Sequence, residues 1–248
     1  MIYKKSPEEI AVMRRGGKAL AGIMEQLEGA IKPGVTTMDL DRLAEELMTK
    51  AGGRSSSKGY RGFPGAICTS PNNVIVHGIP DETELKEGDL ISLDVAMFFE
   101  GFHLDNAKTY AVGEIDPAKR KLLEVTEAAL EAAIAECRPG RRLGDVGYAV
   151  ESTAEAAGFS VVREYVGHGV GRSFHEDPQI PNYGPPGRRE PLAPGMTLAI
   201  EPMVNMGGAQ TKLLSDNWTV ITADSSLSAH FEHTVAITPE GHEVLTRP

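Results

Sequence analysis

Cysteine is almost missing: Cys68 and Cys137 are the only two in 248 residues. Two cysteines make no disulfide framework, which points to a reducing, cytosolic compartment. No stretch approaches the roughly 18 consecutive apolar residues of a membrane-crossing helix. The opening segment, Met1 to Pro7, leads straight into a helix signal and lacks the apolar core of a signal peptide. Positive charge is scarce, with 25 Lys and Arg against 35 Asp and Glu and a net charge of −10. That balance argues against nucleic acid or an anionic membrane as the main partner, and it suits a site built from acids. No Pro/Gly/Ser-rich or charged linker divides the chain. What remains is ordinary for a globular protein: 41% hydrophobic and 24% charged residues, with 27 Gly and 16 Pro. The length allows one large core or two modest ones.

Helix signals come first. Ser6 is placed to cap a helix with Pro7 at its first position and Glu9 three residues on. Ile10, Met13, Leu20, Ile23, Met24 and Leu27 then recur at helical spacing until Pro33-Gly34. A second helix is predicted from about Met38 to Ala51, ended by Gly52-Gly53, followed by a Gly/Ser-rich loop and strand-like runs such as Asp89 to Met97. This series then returns. Pro33-Gly34, Asp39 and Ala51-Gly52 reappear 106 positions later as Pro139-Gly140, Asp145 and Ala157-Gly158. Leu85, Gly88 and Asp94 reappear 107 positions later as Leu192, Gly195 and Glu201. The pairs predict an internal duplication, about 7–113 and about 117–238, folded together as a single α+β domain spanning 1–248. The period is too long for a solenoid.

Strand alternation shows what the acids face. Ile91, Leu93, Val95 and Met97 share one side of a strand, and Ser92, Asp94 and Ala96 the other. Leu198 and Ile200 oppose Thr197, Ala199, Glu201 and Met203, while Phe231, Val235 and Ile237 oppose Glu232, Thr234 and Ala236. The apolar faces are expected to pack under four helices and the other face to line a cleft. Asp105, just past a hairpin at Phe99-Glu100-Gly101-Phe102, adds a fourth acid. Four converging carboxylates repel and lose hydration, so protons or divalent cations must compensate. With one imidazole, Asp94, Asp105, His168, Glu201 and Glu232 have the ligand types of a two-metal hydrolytic site. Oxygen-rich ligands with one His suit Mn(II), Fe(II), Co(II) or Zn(II) rather than a thiolate-type structural zinc site.

An ordered set of short motifs carries a family resemblance: Val76-His77-Gly78-Ile79-Pro80, Ser92-Leu93-Asp94-Val95, Asp105, Gly167-His168-Gly169-Val170-Gly171, Phe174-His175-Glu176, Ile200-Glu201-Pro202-Met203 and Phe231-Glu232-His233-Thr234. Together they resemble type I methionine aminopeptidases of the pita-bread fold, from the first helix to about Thr246. The resemblance implies pseudo-twofold halves around a central curved, mainly antiparallel sheet backed by four helices. It implies hydrolytic removal of the initiator methionine from nascent chains and N-terminal methionyl peptides with a small second residue. It also implies two divalent ions (Co, Mn, Fe, Zn or Ni): Asp94 on one, His168 and Glu201 on the other, Asp105 and Glu232 bridging. Glu201 is then the group that takes a proton from the attacking water, His175 the donor to the carbonyl oxygen, and His77 the contact to the scissile nitrogen or leaving amine. Tyr60, Phe63, Cys68, Phe174 and Trp218 would wall a pocket for the methionine side chain, with His77 and His175 at its edge; aromatic walls suit a polarizable thioether. A monovalent cation near Asn72, Val74 and Ser228, a cytoplasmic monomer and an association with the ribosome complete what the family implies.

Other residues are read more plainly. Cys68 is a small wall residue rather than a nucleophile, because no catalytic dyad is evident. His103, His230, His233 and His242 are assigned to structure or surface, and Arg138, Arg141 and Arg142 to a solvated helix boundary. Ala96 stands where many relatives carry Thr, removing a hydroxyl beside the ligands; Leu104 and Asn106 flank Asp105 where the bacterial pattern differs. Two rival functions share the fold. An Xaa-Pro aminopeptidase or prolidase usually carries a sizeable extra N-terminal domain, and here the first catalytic-domain helix starts at once. A metal-free binding module typically loses ligand residues, and here all five are present.

Overall fold

Ser6 Oγ accepts the Glu9 N–H while the Glu9 carboxylate accepts the Ser6 N–H at 2.8 Å, and with Pro7 this fixes the start of α1 (Pro7–Ala30). In the computed structural model, which describes all 248 residues, three more helices follow: α2 (Thr37–Lys50), α3 (Pro117–Glu136) and α4 (Leu143–Ala156). Thr36 and Asp39 form a second reciprocal cap on α2, and Asp116 caps α3 by accepting from Ala118 and Lys119. Gly34, Gly52 and Gly88 take φ of +88°, +79° and +85°, and Gly140, Gly158 and Gly195 take +89°, +85° and +90°. Gly34 and Gly140 lie in the turns between helices, Gly52 and Gly158 follow α2 and α4, and Gly88 and Gly195 precede strands, each in the left-handed region that only glycine enters freely.

The main sheet has nine strands, every pairing antiparallel. Its spine runs Arg54–Ser55, Leu90–Phe99, Phe102–Ala111, Glu232–Ile237, Thr197–Ile200, Gly167–Gly169, Glu176–Ile180. The hairpin between Leu90–Phe99 and Phe102–Ala111 turns on Glu100 and Gly101, both at positive φ, as a two-residue turn of the favoured hand requires. Its apolar side, Ile91, Leu93, Val95, Met97 and Leu104, is buried under α1 and α2 together with Met13, Leu20, Leu27 and Leu40. Leu198, Ile200, Val235 and Ile237 are buried under α3 and α4 with Leu130, Ile134, Val146 and Val150. Helices therefore back one side and leave the other for the cleft. Close packing needs missing side chains at two points: a Cβ on Gly17 of α1 would lie 2.1 Å from the Leu245 carbonyl oxygen, and one on Gly147 of α4 2.3 Å from that of Tyr183.

Two strand-like runs are shorter than their alternation implies. Thr197–Ile200 stops before Glu201-Pro202, and Met203–Asn205 belongs to a separate three-stranded sheet with Ser228–His230 and Ser160–Val161. Met203 thus does not share a cleft face with Glu201; it is buried with Ile75, Val76, Val162 and Val220. The run from His230 to Ile237 breaks likewise at Phe231, so His230 and Glu232 lie on strands of different sheets. Pro202, without an N–H to give a ladder, explains the first break.

Candidate functional site

Register places the acids in rows. Asp94 pairs with Ala107, which pairs with Glu232 on its other side; Ala96 pairs with Asp105; His168 pairs with Ala199, which pairs with Thr234. Alanine on the intervening strands leaves room on the cleft face for the longer groups. The Asp105 backbone is clamped by Thr234, whose hydroxyl accepts from Asp105 N at 2.9 Å and donates to its carbonyl at 2.8 Å. Asp105, His168 and Glu232 are buried, and one ligand atom from each lies within 4.8 Å of the others. His168 Nε2 stands 3.8 Å from Asp105 Oδ2 and 3.6 Å from Glu201 Oε1.

Burial makes ionising this set costly. Burial pushes Asp94 up to about 6 and lifts Asp105, Glu201 and Glu232 well above the carboxylate range, with neighbouring carboxylates adding to the last three. Asp105 Oδ1 and Glu232 Oε1 are buried without a hydrogen-bond partner. Orphaned acceptors at one point are costly in a folded protein unless something positive meets them. His168 is arranged for that: Nδ1 lies 2.8 Å from the Gly169 carbonyl, so it carries the proton and Nε2 offers its lone pair. Burial draws its pKa down to about 4, keeping the ring neutral. Buried acids with orphaned oxygens, beside a neutral imidazole of the correct tautomer, fit a divalent-metal site, and Asp105, His168 and Glu232 are the residues brought close enough to share an ion.

The acids open into a cavity of about 350 Å³ whose lining includes every residue selected from the sequence for catalysis, metal or substrate: Tyr60, Phe63, Cys68, His77, Asp94, Asp105, His168, Phe174, His175, Glu201, Trp218 and Glu232. Two aromatic walls face it. Tyr60 lies 5.1 Å from both Phe174, edge-on, and His175, stacked. Phe63 meets Trp218 edge-on at 5.1 Å, and His77 stands 6.1 Å from Trp218. Cys68 sits opposite Asp94 across the ladder, and burial with that carboxylate raises its thiol well above the ordinary range. A thiol so held stays protonated, which suits a wall and not a nucleophile.

The segment bearing Phe174 and His175 is fastened from far away in sequence. Lys5 Nζ meets Glu176 Oε2 at 2.5 Å with both side chains buried, and Glu176 Oε1 accepts the Ser173 N–H at 3.0 Å. Arg172 pairs with Glu9, and the Met1 amino group with Asp177. Sequence spacing gives no sign of a lysine reaching 171 positions along the chain. Of the histidines assigned to structure or surface, His230 is buried, with Nε2 3.7 Å from Glu201 Oε2. No local signal marks this approach, since the strand breaks at Phe231 and His230 lies on a different sheet from Glu232. Tyr165 and Gln179 also line the cavity without having been singled out. Near the residues considered for a monovalent cation, Ser228 N donates to the Asn72 carbonyl at 3.0 Å.

Residues 11–239 match metallopeptidase family M24. A protein of Bacillus subtilis (strain 168) named methionine aminopeptidase 1 is 52% identical over 247 residues, with 100% of both chains covered. A crystal structure of a methionine aminopeptidase from Thermotoga maritima superposes with a TM-score of 0.98 at 47% identity, again with 100% of each chain covered. The prolidase from Pyrococcus furiosus superposes at a TM-score of 0.79 with 21% identity, covering 99% of this chain and 65% of its own, a likeness of fold alone.

Proposed function

The chain belongs to metallopeptidase family M24, and from its full-length likeness to methionine aminopeptidases, at 52% and 47% identity, we infer that it is one, a hydrolase of the pita-bread fold that removes N-terminal methionine from peptides. One observation carries the reading: a single cavity joins buried acids that demand positive charge to an aromatic-walled pocket.

Asp94, Asp105, His168, Glu201 and Glu232 would hold two divalent ions. When bound, such ions supply Lewis acidity and make water acidic enough to attack a peptide carbonyl at neutral pH. Glu201 takes up the proton that the attacking water loses. His175 donates to the carbonyl oxygen as negative charge develops there, and its exposed position at the cavity mouth suits contact with a peptide backbone. His77 contacts the scissile nitrogen or the leaving amine. Tyr60, Phe63, Cys68, Phe174 and Trp218 enclose the methionine side chain, and a small second residue is preferred because the cleft must admit the backbone beyond the scissile bond. Ligand chemistry admits Co, Mn, Fe, Zn or Ni.

The same reading includes a monovalent cation near Asn72, Val74 and Ser228, and a cytoplasmic monomer acting on nascent chains at the ribosome; no helix is long and apolar enough to cross a membrane. It also includes one catalytic domain with a duplication of about 7–113 and about 117–238, supported by the matched glycine φ values. A metal-free binding module is disfavoured, since such modules typically lose ligand residues and all five are present here.

The test is release of free methionine from Met-Ala-Ser by chelator-stripped protein given Mn(II) or Co(II), beside Leu-Ala-Ser and a Met-Pro peptide. Metal-dependent release from Met-Ala-Ser, with little from Leu-Ala-Ser, is expected. Preference for proline at the second position would transfer the protein to prolidase chemistry. No release with ions bound would favour a binding module.

A further inference from the structure

His230 has no part in the chemistry above, yet it is the most completely buried imidazole beside it. Its backbone is clamped: Thr109 Oγ1 accepts from His230 N at 2.8 Å and donates to His230 O at 2.9 Å, while the strand Ser228–His230 pairs His230 with Met203. Ser92 Oγ braces Thr109 Oγ1 at 2.8 Å. A ring on so fixed a backbone has little freedom, and it ends with Nε2 buried and unpartnered, 3.7 Å from Glu201 Oε2. That is about 0.7 Å beyond a typical N–H···O contact. The other oxygen, Oε1, faces His168 Nε2 at 3.6 Å, so each oxygen of Glu201 meets one imidazole. The two rings differ in kind. His168 Nε2 also stands 3.8 Å from Asp105 Oδ2, whereas among the carboxylates His230 Nε2 approaches Glu201 alone.

We propose that His230 is a positioning residue for Glu201: its Nε2–H donates to Oε2 and fixes the carboxylate so that Oε1 is presented to an ion on the His168 side. The inference rests on the reading of Glu201 as a metal ligand. It satisfies two groups at once. A buried N–H without an acceptor is costly, and a flexible glutamate that must hold an ion gains affinity when its second oxygen is fixed in advance. Partners of this type usually change metal affinity when removed. A carboxylate swing closes the gap without moving the clamped strand.

Calorimetric titration of Co(II) into the metal-free full-length chain tests this, using wild type, His230→Leu, His230→Gln and Glu201→Ala, with thermal unfolding of each metal-free variant as the check on folding. His230→Leu keeps the bulk and loses the donor, so the ion held by Glu201 should bind roughly 10–100-fold more weakly. His230→Gln restores an N–H donor and should recover most of the loss. Wild-type affinity in His230→Leu, with weak binding in Glu201→Ala, overturns the positioning role and leaves the metal site standing. Equal weakening in the Leu and Gln variants also overturns it, because the imidazole would then be needed as a ligand. Wild-type binding in Glu201→Ala overturns the metal reading of Glu201, and the inference with it. Should the variants not fold, ¹⁵N resonances of wild-type His230 decide: a proton on Nε2 that exchanges more slowly once Co(II)'s diamagnetic substitute Zn(II) is added is expected, and an unprotonated Nε2 refutes the proposal.

Discussion

The two halves of the chain reach the same centre by different means. The first contributes Asp94 and Asp105 from one continuous hairpin, Leu90–Phe99 with Phe102–Ala111, paired without interruption from Leu90↔Ala111 to Phe99↔Phe102. The second contributes His168, Glu201 and Glu232 from three short strands, each residue at an irregularity: His168 at a register shift, Glu201 just past a strand end, Glu232 at a strand start after the break at Phe231. A regular ladder fixes a side chain firmly but admits only the two directions of the pleat. Where the ladder breaks, the backbone re-aims groups, as bulges beside active sites do. The first half therefore supplies a rigid pair of carboxylates, and the second supplies chemical variety and needs bracing from elsewhere.

The strongest way to break this comparison is Asp105→Ala. Its ladder bonds are backbone bonds, so the variant should fold, with an unfolding temperature equal to or above that of the metal-free wild type because a buried acid with an orphaned oxygen is gone. Methionine release should vanish and elemental analysis should show two-ion loading lost. An active Asp105→Ala protein would remove the bridging role and with it the idea of a rigid carboxylate pair.

Bracing of the second half is tested next by Lys5→Met, which removes the ion-pair partner of the buried Glu176 side chain and leaves it only the Ser173 N–H. Removing one partner of a buried ion pair costs about 3–5 kcal/mol, so denaturant unfolding should show a loss of that order. Lys5→Met combined with Glu176→Leu should recover much of it. A single variant as stable as wild type would show that the segment 171–177 stands without its distant tether. Slightly smaller is His175→Ala, which should lower turnover by about 10²–10³-fold, the usual loss for one oxyanion donor, with Met-Ala-Ser affinity little changed. Unchanged turnover would remove His175 from the mechanism.

This asymmetry also explains which parts were legible in the sequence. Asp94 was readable because Leu93 and Val95 beside it point into the core and an unbroken ladder keeps the alternation true. Helix starts were readable because caps are local: Ser6 and Glu9 are three residues apart. Where the second half departs from regularity, alternation misled, placing Met203 with Glu201 when Pro202 ends the strand between them. His230 was passed over for a related reason. Its approach to Glu201 depends on two sheets meeting at Phe231, a fact of tertiary packing. Lys5 and Glu176 were invisible in principle, since nothing local records a contact across 171 positions.

The smallest effect sharpens the comparison at equivalent helix starts. On α2, Thr36 Oγ1 accepts the Asp39 N–H at 3.1 Å and the Asp39 carboxylate accepts the Thr36 N–H, so both halves of a capping box are present. On α4, 106 positions later, Arg142 stands where Thr36 does: Asp145 still accepts the Arg142 N–H at 2.8 Å, but no hydroxyl stands at the cap to receive the Asp145 N–H. Thr36→Ala should therefore cost about 1 kcal/mol, roughly 2–4 °C in Tm for a chain of this size. Arg142→Ala should move Tm far less, because no cap bond of that kind is lost. Arg142→Thr should raise it by part of the Thr36 increment, less what is lost with the exposed Arg142 Nη1 bond to the Arg189 carbonyl. Equal losses in Thr36→Ala and Arg142→Ala would mean that the helix entries of the two halves are held alike, and that the irregularity of the second half is confined to its strands.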